Sequence, residues 1–493
     1  MKNRWLFLAF LLALIFVLGG CFLFDKANPY NFSIDSATNA YTYRAIRATV
    51  TLTDPSGQPL QGVKLIAKSN DGKLLFELNP ETESATELIL ETDENGKASF
   101  QFFSKAEGKH DLVVHLSNQP CCQERSSISF EPTPWLFLFW LCGDNNLESY
   151  ALGDIEEIKA GSGNSAATVA LVDLKAYPDN LLMCNGEGSF FKESLSREAN
   201  TGSATELASF FDFFANGDYA NIALVIWNHG NAWFDESSES AMPAGSSILR
   251  GVAYDDSPDD FLKLSEINSA LLPFLTLTPS GKIDLLGFDA CIMGSVEVAY
   301  ELRDIAHYMI ASARTIPSDG WDYDFLGDIQ PDSDTTDVAR TIIDRYASYY
   351  AEKPSFSLSL WDLKQLDSLY LAIDQLSKAV LENTWALNAA RTSKETSYYF
   401  YNHIIGSLGD FLSRLESGTP TELSGKITVT KDALAKAVPV FSTKPFESLP
   451  GCGIFLPSAS LVLERYREDY QALSFSENTW SFVIETLSSD SIH

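Results

Sequence analysis

The stretch IDLLGFDACIMGSVEVAYEL, residues 283–302, decides how this chain is read. Its first half is apolar or small at Ile283, Leu285, Leu286, Gly287, Phe288 and Ala290. A short run of this kind marks a strand buried on both faces. Its second half carries Ile292, Val296, Ala299 and Leu302 at spacings of three and four, which predicts a helix starting at Cys291. A single thiol therefore stands where a buried strand gives way to a helix. In open parallel sheets that is the end at which reactive groups collect.

The same alternation extends in both directions. Apolar runs recur at WLFLFWLC (135–142), ATVALVDL (167–174), NIALVIWNHG (221–230), HYMIASA (307–313) and SFSLSLWD (355–362). Helical patterns lie between them, as in NNLESYALGDIEEI, with Leu147, Tyr150, Ile155 and Ile158 on one side, and TELASFFDFFAN. Residues 132–493 are thus predicted to form an α/β domain, an αβα sandwich with a mostly parallel sheet. Residues 38–131 are of another kind. RAIRATVTLTD alternates, ILETDENGKASFQFF reads strand, turn, strand, and GKHDLVVHLS closes the set. Short strands about ten residues apart predict a small all-β sandwich. Its turn phrases resemble bacterial immunoglobulin-like repeats. SFEPTPW marks the boundary near residue 132, and residues 21–37 read as a tether.

Lys2 and Arg4 precede the apolar run Trp5–Leu18, and LGGC follows at residues 18–21. The run is short for a membrane span and suits a signal peptide, residues 1–20. LGGC resembles a lipobox, which makes Cys21 the lipidation site and the membrane a partner through that anchor. An ordinary cleaved signal peptide and an uncleaved anchor are the other readings. The expected location is the bacterial cell envelope. Six cysteines remain, with Cys121 and Cys122 adjacent, and no pairing is assigned. Lys plus Arg number 35 against 66 Asp plus Glu, a net charge of −31. That balance excludes nucleic acid as a partner and favours cationic peptides, or serves solubility alone.

Two titratable groups stand at strand ends. IALVIW runs into Asn228, His229 and Gly230, and IDLLGF runs into Asp289, Ala290 and Cys291. If the two strands are neighbours, an imidazole and a thiol meet at one sheet edge. That is the equipment of acyl transfer: the base takes the thiol proton, the thiolate attacks a carbonyl, and the imidazolium protonates the leaving amine. A helix starting at Cys291 would lower the thiol pKa, and the N–H groups of Gly230 and Cys291 would serve an oxyanion. Taken singly, a cysteine at a strand end is more often structural and a histidine in a loop is ordinary.

WNHGNAW and FDACIMGSVEVAYEL resemble the two active-site blocks of the clostripain family of cysteine peptidases, relatives of caspases and legumain. LCGDNNLE (141–148), VAYDDS with LKLSEINSAL, ASARTIPSDGWDYDFL and GCGIFLPS extend the resemblance over about 134–485. It implies a caspase-like fold, Cys291 as nucleophile, His229 as general base and Gly230 in the oxyanion hole. It implies cleavage of polypeptides after Arg or Lys, with Asp289 and Asp319 as the acidic pocket groups. As an alternative, Asp289 caps the following helix. Calcium, associated with some members, would fall to Asp144, Asp255 and Asp256, although no calcium-loop spacing is present. Family members are often cut between the His and Cys blocks, which makes Arg250, before Gly251, the candidate self-cleavage site. A catalytically silent adhesin and a thiol acyltransferase or transpeptidase are the rival readings.

Overall fold

The computed structural model describes residues 30–78, 85–163, 165–184, 188, 190–235, 250–418 and 421–489. Cys21 and residues 236–249 lie outside them. The chain divides into two units, the first ending at Glu131 and the second running from Pro132 to His493, with small additions from the earlier chain.

The first unit is all β. One sheet orders Asn31–Ser36, Ile46–Thr53, Lys97–Ser104 and Leu74–Leu75; the other orders Asn39–Tyr41, Gln119–Glu131, Gly108–Leu116, Lys64–Ser69 and Glu87–Glu91. Ala48, Val50, Leu52 and Phe100 of the first sheet meet Leu65, Leu112, Val114 and Phe130 of the second in one core. The strand Asn31–Ser36 corrects the expected tether of residues 21–37. It pairs antiparallel with Ile46–Thr53, and Phe32 and Ile34 pack on the core. Its alternation, Phe32 and Ile34 against Asn31, Ser33 and Asp35, is what a half-buried edge strand requires.

The second unit is built on a nine-stranded sheet. In chain order its strands are β1 (Thr133–Gly143), β2 (Ala166–Leu174), β3 (Asn180–Cys184), β4 (Phe190–Ser194), β5 (Tyr219–Trp227), β6 (Ile283–Asp289), β7 (Ala306–Ala311), β8 (Phe356–Asp362) and β9 (Val440–Lys444). Their order across the sheet is β4-β3-β2-β1-β5-β6-β7-β8-β9. The central pairings β2–β1–β5–β6–β7 are parallel, and the edge pairings are antiparallel. The central strands are buried along almost their whole length, as a sheet covered on both faces demands. Helices α1 (Glu148–Gly161) and α2 (Ala204–Ala215) fall between sheet strands, as the periodicity predicts. Trp135, Phe137, Phe139, Tyr323 and Phe325 form part of the core that packs α1 on the sheet. This is the α/β sandwich expected from the sequence, with a mixed, largely parallel sheet.

Candidate active site

β5 and β6 run side by side and parallel, with Trp227 opposite Asp289. Both strands stop there, and the Asn228 amide still donates to the Asp289 carbonyl at 3.2 Å. Two residues further on each chain stand His229 and Cys291. Gly230 explains why the two chain ends approach so closely. A Cβ at that position would lie 2.5 Å from the Cys291 carbonyl oxygen, 2.9 Å from the Ala290 Cβ and 3.0 Å from the Cys291 nitrogen. Only a residue without a side chain allows this backbone contact.

His229 and Cys291 line one cleft of about 210 Å³, together with Trp227, Asp289, Ser318 and Gly320. The imidazole is held by Asn146, whose Oδ1 lies 2.8 Å from Nε2. A carbonyl oxygen accepts, so Nε2 carries the proton and Nδ1 is left to take one. Burial lowers the His229 pKa and the Asp256 charge opposes it, so the ring is neutral at neutral pH. Asn146 owes its position to Asn145, whose side chain donates to the Cys142 and Tyr254 carbonyls at 3.0 and 2.9 Å and accepts from the Leu147 amide at 2.9 Å. Asn228 repeats the device from the other side. It donates to the same two carbonyls and accepts from the Tyr254 amide at 3.1 Å. Sequence reasoning passed over Asn145, Asn146 and Asn228. Their signal was three amide side chains directly after two buried strands, where backbone groups need partners.

The Cys291 thiol sits against Ile316, accepting from its amide at 3.3 Å and facing its carbonyl at 3.8 Å. Among the described residues no hydrogen bond joins thiol and imidazole, which is common before a substrate closes the geometry. The helix expected at Cys291 is not there. Ile292 has φ of +55°, the Ile292 and Gly294 amides donate to the Arg314 and Ser312 carbonyls, and the helix α3 (Val296–Glu301) begins only after the Ser295 cap. A β-branched residue with positive φ is strained, and here it turns the chain just behind the thiol. Cys291 therefore does not stand at the start of a helix. Burial instead pushes the thiol up to about 11, with the Ile316 amide opposing and the Asp289 charge adding. The resting thiol is protonated, so a base must remove its proton.

Asp289 lies in the cleft and caps no helix. Its Oδ2 accepts from the Trp321 amide and the Tyr323 hydroxyl, both at 2.8 Å. Burial pushes it up to about 7. Asp319 is exposed between Ser318 and Gly320, at the cleft rim rather than on its lining. Arg250 opens the strand Arg250–Asp255, opposite Asp235 of the strand Gly230–Asp235.

The expected cation ligands are rearranged. Asp256 pairs with Lys175, and Asp255 accepts from the Thr201 and Ser257 amides. Asp144 instead groups with Asp173 and Glu198, with ligand atoms within 4.8 Å of one another. Asp144 and Asp173 are 1% and 0% exposed, and among the described residues no hydrogen-bond partner meets either Asp144 oxygen or Oδ1 of Asp173. Buried orphan carboxylates are costly, and an all-oxygen set fits a hard cation such as Ca2+.

The comparisons with known proteins agree with this geometry. Clostripain of Hathewaya histolytica is 27% identical over 302 residues, which is 49% of this chain and 55% of that one. The chain thus spans about half the length of that curated relative. An inactive zymogen C11 protease from Parabacteroides distasonis superposes with a TM-score of 0.54 at 22% identity, over 70% of this chain and 98% of that one. A secreted C11 cysteine protease from Bacteroides thetaiotaomicron, solved with an irreversible peptide inhibitor, gives 0.54 at 18% identity, over 71% and 99% of the two chains. These two likenesses establish the fold. The clostripain family description matches residues 139–486, most of the second unit, and on that match the chain belongs to the clostripain family.

Proposed function

We propose that this protein is a cysteine endopeptidase that cuts polypeptides after Arg or Lys with a Cys291–His229 dyad. The observation that carries the reading is the level placement of His229 and Cys291 at the ends of neighbouring parallel strands, in a cleft that also holds Asp289. Nδ1 of His229 takes the thiol proton as sulfur attacks the carbonyl carbon. The N–H groups of Gly230 and Cys291 receive the oxyanion. The imidazolium then protonates the leaving amine, and water releases the acyl group by the reverse sequence. Asp289 and Asp319 draw a cationic side chain into the cleft. The peptide inhibitor bound to the Bacteroides relative supports a peptide as the substrate class.

Ca2+ would be held by Asp144, Asp173 and Glu198 and would neutralise that buried negative cluster. Cleavage at Arg250–Gly251 requires the end of the Arg250–Asp255 strand to fray from Asp235. A lipid on Cys21 would hold the enzyme at the cell envelope. Fluorogenic peptides ending in Arg, Lys or a neutral residue, assayed with wild type and Cys291→Ala, test the reading. Cleavage of Arg and Lys peptides that vanishes in Cys291→Ala supports it. Binding without turnover favours the adhesin, and amine-dependent product favours the transpeptidase.

A further inference from the structure

Asp154 is an acidic residue on the wrong face of its helix. Ala151, Ile155 and Ile158 of α1 are buried, and Asp154 is buried with them, only 3% exposed. Its Oδ2 accepts from Nε1 of Trp227 at 2.6 Å, and Trp227 lines the cleft. Asp289 stands on the other side of the same spot. A Cβ on Gly320 would lie 2.6 Å from Oδ2 of Asp289 and 3.2 Å from Oδ2 of Asp154. Gly320 has φ of +63° and lines the cleft, and both carboxylates close on the spot where a side chain at 320 would stand.

The surroundings supply little positive charge. Asp154 feels Asp289, Glu157 and Asp319, all negative, and the phenols of Tyr323, Tyr346 and Tyr350 and the Cys291 thiol lie around Asp289. Arg314 acts on Tyr346. Two buried carboxylates so close oppose each other's ionisation. Burial and the Asp289 charge push Asp154 up to about 9, above the value of about 7 for Asp289. The Asp289 charge thus helps to keep the proton on Asp154.

We propose that Asp154 is a second, rear carboxylate of the cationic side-chain pocket, and that entry of a guanidinium or ammonium group is coupled to loss of protons from the Asp154–Asp289 pair. This deepens the basic-residue reading and rests on it. The balance is simple: the cation enters, a carboxylic O–H bond breaks, and the proton passes to solvent. Affinity therefore rises with pH, by up to tenfold per pH unit for each proton fully coupled. With Asp289 alone the rise ends above its own titration. With Asp154 behind it, a second rise follows on the alkaline side. Asp154 acts through Asp289 and Trp227 and is a positioning residue for specificity.

The test is the inhibition constant of butylguanidine, a monocationic alkyl guanidinium, measured from pH 6 to pH 10 beside butylurea, its neutral analogue of the same shape. Wild type should show two rises, Asp154→Asn only the first, and Asp289→Asn weak binding that is flat with pH. Superposable profiles for wild type and Asp154→Asn overturn the proposal. Equal inhibition by butylguanidine and butylurea at every pH overturns the basic-residue reading itself, a separate outcome. If Asp154→Asn does not fold, calorimetry of butylguanidine binding to wild type at pH 8.5, in two buffers of different ionisation enthalpy, decides. Proton release at that pH supports the pair, and none overturns it.

Discussion

Replacing Gly230 by alanine tests how tightly the two halves of the dyad are locked. The added Cβ would lie 2.5 Å from the Cys291 carbonyl oxygen and 3.0 Å from its nitrogen. Ordinary contact begins at 3.4 Å, so one chain must retreat by about 1 Å. Both atoms are backbone and have no rotamer to change. The retreat therefore moves Cys291 away from His229, or His229 away from Cys291. A misplacement of about 1 Å at reacting groups costs on the order of 10²-fold in rate. Overpacking costs about 1–3 kcal/mol of stability. The variant should fold, with a lowered Tm, and kcat/KM for an Arg peptide should fall about a hundredfold. Iodoacetamide should still alkylate Cys291, because the thiol remains in the cleft. Activity within twofold of wild type at an unchanged Tm would refute the claim that this contact sets the spacing.

Four further expectations can be checked together. Asn146→Ala removes the acceptor on Nε2 of His229 and frees the ring to flip; kcat should fall tenfold or more with KM nearly unchanged, and steady-state kinetics showing a KM effect alone would contradict the tautomer assignment. The Cys291 thiol is pushed up to about 11, so alkylation of the resting protein should keep accelerating from pH 8 to pH 10; a plateau below pH 7 would reveal a preformed thiolate–imidazolium pair. Asn228→Ala takes the acceptor from the Tyr254 and His229 amides, while Asn145 still serves the Cys142 and Tyr254 carbonyls, and thermal unfolding should show a loss of about 1–3 kcal/mol per orphaned amide; an unchanged Tm would mean water replaces the side chain. Ca2+ at a hundred times its Kd should add about 2.7 kcal/mol of stability, seen as a Tm rise that Asp144→Asn abolishes. Equal shifts in both proteins would place the ion elsewhere.

Much of the fold was legible because its strands are buried on both faces. Ile283–Asp289 and Ala166–Leu174 are buried at every position, and an uninterrupted apolar run has few other readings. The meeting of His229 and Cys291 in one cleft was legible because both residues directly follow such runs. The error at Cys291 has a physical cause. Ile292, Val296, Ala299 and Leu302 keep helical spacing, but periodicity records burial and not φ. All four are buried, and the first lies in a left-handed turn ahead of the helix. The tether was misjudged because an edge strand such as Asn31–Ser36 buries only one partial face. Asp154 escaped notice although its signal was present. It is an acid at helical spacing from Ala151 and Ile158, on the stripe that must face the sheet. The acidic cluster was out of reach, since Asp144, Asp173 and Glu198 come from three separate segments that only the fold unites.

The central claim is that Cys291, served by His229, is the group that attacks the peptide. The most direct measurement is peptide mapping by mass spectrometry after treatment with a peptidyl chloromethyl ketone ending in Arg, with residual activity followed in parallel. Cys121 is exposed and Cys122 half-buried, so both compete with Cys291 for the label, whereas Cys142, Cys184 and Cys452 are buried. The account predicts one adduct, on Cys291, with activity falling in proportion to its occupancy and labelling slowed in His229→Ala. An adduct on another residue with activity lost, or full labelling of Cys291 with activity retained, would contradict it.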